Sequence, residues 1–108
     1  MTLKAVLLMT KLTFITLEEL LEMLENKVDF KLVEVLTKKE FNKGHIPGAI
    51  NLPLDEIEKL AKQKLKKMEI IVVYCESYSC HASTKAARKL LEMGYKKTLD
   101  FKGGKRWW

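Results

Sequence analysis

The chain has 108 residues, 47% hydrophobic and 31% charged, with a formal charge of +6; this fits one globular domain with its own core and excludes a disordered or membrane-spanning chain. Its two cysteines, Cys75 and Cys80, are too few and too close together for the disulfide framework of a small secreted scaffold. The positive charge suits anionic small substrates or solubility. The lysines from Lys59 to Lys67 fall around a helix without stacking aromatics, so a solvated face is expected there and not a nucleic-acid surface.

The opening MTLKAVLLMTKLTF has the lysine and short apolar run of a signal peptide, but Lys11 interrupts it and no small-residue cleavage site follows, so a cytoplasmic location is expected. ITLEELLEML reads as a helix start: Thr16 caps, Glu19 completes a capping box, Ile15 packs on Leu20, and Leu17, Leu20, Leu21 and Leu24 form one apolar face. FKLVEVL predicts a buried strand from about Lys31 to Leu36, TKKEF a helical turn, and AINLP a brief extended piece after the breakers Gly44, Pro47 and Gly48. Leu54, Ile57, Leu60, Ala61 and Leu65 mark a second amphipathic helix. EIIVVYC is the most hydrophobic strand and is expected at the centre of a sheet. STKAARKLLEMG follows as a helix capped by Ser83 and stopped by Gly94, and KKTLDF as a last strand. Strands alternating with helices predict a single α/β domain over residues 1–108 with a largely parallel sheet and right-handed crossovers.

Both cysteines fall in VVYCESYSCHAS, between the strongest strand and a helix start. Ligands of open α/β sheets sit beyond the carboxyl ends of the strands, and a helix N-terminus favours negative charge, so a thiolate held there is acidified and nucleophilic. Cys75 fits that role and the bland one of a buried strand-end hydrophobe equally well. Cys80, among Ser77, Ser79 and His81, is harder to explain as core. The pair could be a nucleophile with a resolving thiol, a redox disulfide or half of a metal site. A zinc site with His45 and His81 is disfavoured by the loose ligand spacing, and neither metal nor other cofactor is expected.

KLVEVLTKKEFNKGHIPGAINLP, followed by IIVVYC, ASTKAARKLLEMGY and DFKGGKRWW, resembles the single-domain rhodanese family of sulfurtransferases from about Phe14 to Trp108. The resemblance implies a three-layer α/β/α fold with a five-stranded parallel sheet and an active loop after the fourth strand. It implies that Cys75 takes the outer sulfur of a donor such as thiosulfate, polysulfide or a persulfide, becomes a persulfide, and passes the sulfur to a low-molecular-weight thiol or protein cysteine. Glu76, Ser77, Tyr78, Ser79, His81, Ala82 and Ser83 would form the substrate loop, with Cys80 as second thiol or alternative nucleophile, and His45 would shape the neighbouring segment through hydrogen bonding.

Three departures stand out. Seven residues instead of five separate Cys75 from Ser83, giving an enlarged Cys-x4-Cys-x2-Ser loop. The loop lacks a cation and carries Glu76, which disfavours thiosulfate relative to polysulfide or persulfide donors. The usual Asp-Val-Arg is Glu34, Val35 and Leu36, which removes a partner for Glu40. A non-catalytic or redox-regulatory binding module is therefore the main alternative, and a phosphatase or arsenate-reductase-like enzyme a weaker one, since no arginine follows Cys75 before Arg88. Trp107 and Trp108 are expected to pack in the core or anchor the end of the fold.

Overall fold

The computed structural model describes residues 12–108, and the opening run compared above with a signal peptide lies, up to Lys11, outside the described residues. Five strands, β1 (Thr13–Phe14), β2 (Phe30–Glu34), β3 (Ile50–Asn51), β4 (Ile70–Tyr74) and β5 (Thr98–Phe101), pair in parallel in the order β1-β5-β4-β2-β3. Helices α1 (Leu17–Glu25), α2 (Lys38–Lys43), α3 (Ile57–Lys64) and α4 (Ala82–Glu92) connect them, with a 3-10 turn at Leu54–Glu56 leading into α3. Among the described residues no helix is long and apolar enough to cross a membrane.

Side chains alternate across a strand, and β4 uses both faces. Ile71, Val73 and Cys75 point to a core layer with Ile57 and Ala61 of α3 and Ala86, Ala87 and Leu90 of α4. Val72 and Tyr74 point the other way, to Leu20 of α1 and to Ile46 and Ala49 of the segment before β3. Helices thus cover both faces, which is why β4 reads as an unbroken apolar run. The result is the three-layer α/β/α arrangement that the resemblance implied.

Local chemistry sets the helix starts. Thr16 and Glu19 make the expected capping box, with Glu19 N–H donating to Thr16 Oγ1 at 3.1 Å and Thr16 N–H to Glu19 Oε1 at 2.9 Å. The apolar face of α1 is narrower than expected: Leu20 is fully buried, whereas Leu21 and Leu24 are exposed. Thr37 caps α2 through its hydroxyl alone, accepting from Glu40 N–H at 3.2 Å.

Three expectations need correction. Ser83 does not cap α4; the N-cap is His81, which makes no side-chain cap bond, and Ser83 lies wholly buried inside the first turn, where it faces Cys75 and Asp100. Trp107 and Trp108 are not in the core but 58% and 44% exposed, Trp107 standing edge-on to Tyr78 with ring centroids 5.7 Å apart. The strand expected over Lys31–Leu36 runs Phe30–Glu34, because past Glu34 the chain turns off towards the Thr37 cap.

Candidate active site at the cysteine loop

Neighbouring strands β2 and β4 send their chains to opposite faces of the sheet. After β2 the chain enters α2, whose Phe41 packs in the layer that holds Leu20 of α1; after β4 it enters α4, which packs with α3 on the other face. Such a divergence opens a crevice at the carboxyl ends of the two strands. Cys75 follows the last residue of β4 and therefore stands at that crevice.

From Cys75 the loop passes through a turn closed by Cys80 N–H donating to the Ser77 carbonyl at 3.0 Å, with Ser77 and Ser79 hydroxyls 3.0 Å apart. The segment after β5 supports it from below. Lys105 N–H donates to the Cys75 carbonyl at 3.0 Å and Arg106 N–H to the Glu76 carbonyl at 2.9 Å. Gly104 makes this approach possible: it has φ +68°, and a Cβ there would lie 2.5 Å from the Cys75 carbonyl oxygen.

The two thiols are adjacent and differ in surroundings. Cys75 has no exposed surface, while Cys80 is partly exposed. The Cys75 thiol donates to the Cys80 carbonyl at 3.5 Å, and Cys80 packs against the core layer that holds Cys75. Burial, reinforced by the neighbouring Cys80 sulfur, pushes the Cys75 thiol up, and the Ser83 hydroxyl and N–H only partly offset this. Burial also works against ionisation of Cys80, but it is outweighed by hydrogen bonds from the Cys75 thiol and the Glu76 and Ala82 N–H groups and by the Lys102 charge, so this thiol is held below the usual range. The Cys80 sulfur thus fills the loop's own anion cradle.

Beneath the pair lies a buried polar layer. Thr84 Oγ1 donates to Asp100 Oδ2 at 2.8 Å, and the Ser83 hydroxyl sits between Cys75 and Asp100 without closing a well-formed bond to either. Burial drives the Asp100 carboxyl up, partly offset by Ser83, Thr84 and Lys102. An open cleft of about 340 Å³ adjoins the loop, lined by Phe14, Ile15, Thr16, Tyr78 and Lys102.

A cysteine loop at the carboxyl edge of a parallel sheet matches a known family. Residues 16–108 fit the profile of the rhodanese-like domain. The chain belongs to the rhodanese-like family. It is 31% identical over 97 residues to the putative sulfur carrier protein YrkF of Bacillus subtilis, covering 87% of this chain but only 49% of YrkF. It is 32% identical over 87 residues to a sulfurtransferase of Allochromatium vinosum, covering 81% and 78% of the two chains. Among solved structures it superposes on the human single-domain sulfurtransferase TSTD1 with a TM-score of 0.78 at 25% identity, covering 89% and 94%.

In this rhodanese-like domain the residues expected at the site are only partly convergent. Cys75, Cys80, Ala82 and Ser83 meet around the two sulfurs, and Glu76 contributes its N–H while its side chain is exposed. Ser77 is buried within the turn, and Tyr78, Ser79 and His81 are exposed on its rim. His45 stands apart, just past the end of α2, stacked on Phe41 with ring centroids 3.7 Å apart and its Nδ1 2.9 Å from the Phe41 carbonyl.

Two cations escaped sequence reasoning. Lys102, just beyond β5, donates to the Cys80 carbonyl at 2.5 Å and supplies in space the charge that the loop lacks in sequence. Lys105 reaches the wholly buried Glu34 at 3.3 Å and the carbonyls of Glu40 and Gly44 at 3.1 and 2.8 Å, while the Glu40 carboxylate, which lacks the arginine missing after Val35, pairs with Lys43 at 3.2 Å. The available signal was topological: in a parallel sheet the residues just past β5 emerge at the same edge as those past β2 and β4.

Proposed function

We propose that this rhodanese-like domain is a sulfurtransferase or persulfide carrier that moves sulfane sulfur from a small donor, through a cysteine persulfide, to a thiol or protein-cysteine acceptor in the cytoplasm. The observation that carries the reading is the acidified, partly exposed Cys80 sulfur held by loop amides beside Cys75. In this geometry the Cys80 thiolate attacks the outer sulfur of the donor. The donor's S–S bond breaks and its electron pair leaves on sulfite from thiosulfate, on a thiolate from an organic persulfide, or on hydrosulfide or a shortened polysulfide from polysulfide. The persulfide anion that forms on Cys80 meets the Glu76 and Ala82 amides and the Lys102 charge, which stabilise it electrostatically. An acceptor thiolate then attacks the outer sulfur and Cys80 departs as thiolate, a ping-pong cycle.

The exposed Glu76 carboxylate disfavours the thiosulfate dianion more than polysulfide or organic persulfides. The similarity to YrkF, a putative sulfur carrier protein, and to the A. vinosum sulfurtransferase supports the same class of chemistry. A second reading makes Cys75 the first nucleophile; its strand-end position and the Ser83 hydroxyl and N–H beside it favour this.

The test is thiocyanate formation from cyanide with thiosulfate, polysulfide and mercaptopyruvate as separate donors. Turnover is expected with polysulfide at least, retained in Cys75→Ser and abolished in Cys80→Ser. Loss in Cys75→Ser alone would establish the second reading. No turnover with any donor would overturn the proposal.

A further inference from the structure

Two adjacent thiols of unequal exposure are more than a single carrier site requires. A donor reaches Cys80 from its exposed side, whereas Cys75, with no exposed surface, lies on the core side of it, its thiol 3.5 Å from the Cys80 carbonyl oxygen. Sulfur delivered to Cys80 is therefore added on the side away from Cys75. Displacement at a disulfide or persulfide sulfur runs in line, through attack opposite the leaving atom. Cys75 is placed for attack on the inner sulfur of a Cys80 persulfide and not on the outer one.

We propose that the domain, besides passing sulfur on, reduces its own persulfide: Cys75 attacks the inner sulfur of the Cys80 persulfide, a Cys75–Cys80 disulfide forms, and the outer sulfur leaves as hydrosulfide. This rests on the persulfide chemistry proposed above. The step balances without an external oxidant. The Cys75 thiol proton passes to the outer sulfur, the S–S bond of the persulfide breaks with its electron pair going to hydrosulfide, and the new S–S bond joins the two cysteines. The sulfane sulfur is reduced to the sulfide level, and the two cysteines together are oxidised to the disulfide level. A low-molecular-weight dithiol then reduces the disulfide and resets the pair. Were the sulfur first loaded on Cys75, attack by Cys80 on its inner sulfur would give the same products.

The ordering of the loop favours this ring closure. The Ser77–Cys80 turn and the backbone bonds from Lys105 and Arg106 already hold the two cysteines together, so little chain freedom remains to be lost. Without an acceptor the sulfur leaves as hydrosulfide; an acceptor thiol competes with Cys75 by taking the outer sulfur before the ring closes.

The test uses the full reduced chain under anaerobic conditions, with glutathione persulfide and, separately, thiosulfate, and no added acceptor. Intact mass and released sulfide are followed together. The expected result is loss of two hydrogen masses from the protein with stoichiometric sulfide, a disulfide mapped to Cys75 and Cys80, and catalytic sulfide production once a dithiol is added. The single variants Cys75→Ser and Cys75→Ala are expected to hold the added sulfur and release no sulfide. A wild-type chain that keeps one added sulfur and releases no sulfide would overturn the inference while leaving the carrier reading intact. A chain unchanged in mass by either donor would overturn the carrier reading, and the inference with it.

Discussion

Asp100 has no exposed surface and lies on β5, the strand paired with β4 below the cysteines. Burial raises its carboxyl, so the folded protein binds this proton more tightly than the unfolded chain does. The sign for stability follows: below the unfolded carboxylate range the group costs nothing, and stability falls as pH rises through the window up to the folded value and then stays constant. Asp100→Asn keeps an oxygen for the Thr84 hydroxyl and removes the buried charge. The variant is expected to show a higher urea midpoint than the parent at pH 7, with the advantage vanishing once the pH drops below about 3.9. The cysteines give a second residue-scale expectation. Iodoacetamide is expected to modify Cys80 at neutral pH while Cys75 reacts only as the pH is raised, as peptide mapping would show; the sign follows from one thiol being held low and the other pushed high.

The short segment from Gly103 to Arg106 is the element on which the loop rests. Gly104→Ala would place a methyl against the Cys75 and Glu76 backbone at a φ that L-residues disfavour. A loss of about 1–3 kcal/mol is expected, together with a displaced loop and weakened sulfur transfer. Lys105 joins this segment to the end of β2 and the turn after α2 across 71 residues of sequence. Lys105→Met strands the buried Glu34 carboxylate and is expected to cost about 3–5 kcal/mol. Adding Glu34→Gln should recover much of it, and a double-mutant cycle by chemical denaturation measures the coupling. Elements whose signal is local were legible in the sequence: β4, through five consecutive β-branched or aromatic residues, and α1, through its capping box. The two-residue β1 was not, because Thr13 and Phe14 show no alternation, both side chains are exposed, and they extend only by pairing with β5. Ser83 misled for a related reason. A serine before a helical run signals a cap, but here the helix starts earlier, at the His81 cap, which puts Ser83 inside the first turn, buried beside Cys75.

At the scale of the whole molecule, the sheet order places the ends of β2, β4 and β5 side by side, so residues remote in sequence form one site. The cysteine pair and its loop were readable because they are contiguous; Lys102 and Lys105 were not, because their partners are chosen by tertiary approach and no local pattern encodes it. Transfer onto a loop cysteine is the central claim, and its most direct measurement is the intact mass of Cys75→Ser after polysulfide treatment, with Cys80→Ser beside it. One added sulfur in Cys75→Ser, cleared by cyanide and missing from Cys80→Ser, is the expected result. An unchanged mass in both variants, with thiols still open to alkylation, would contradict it.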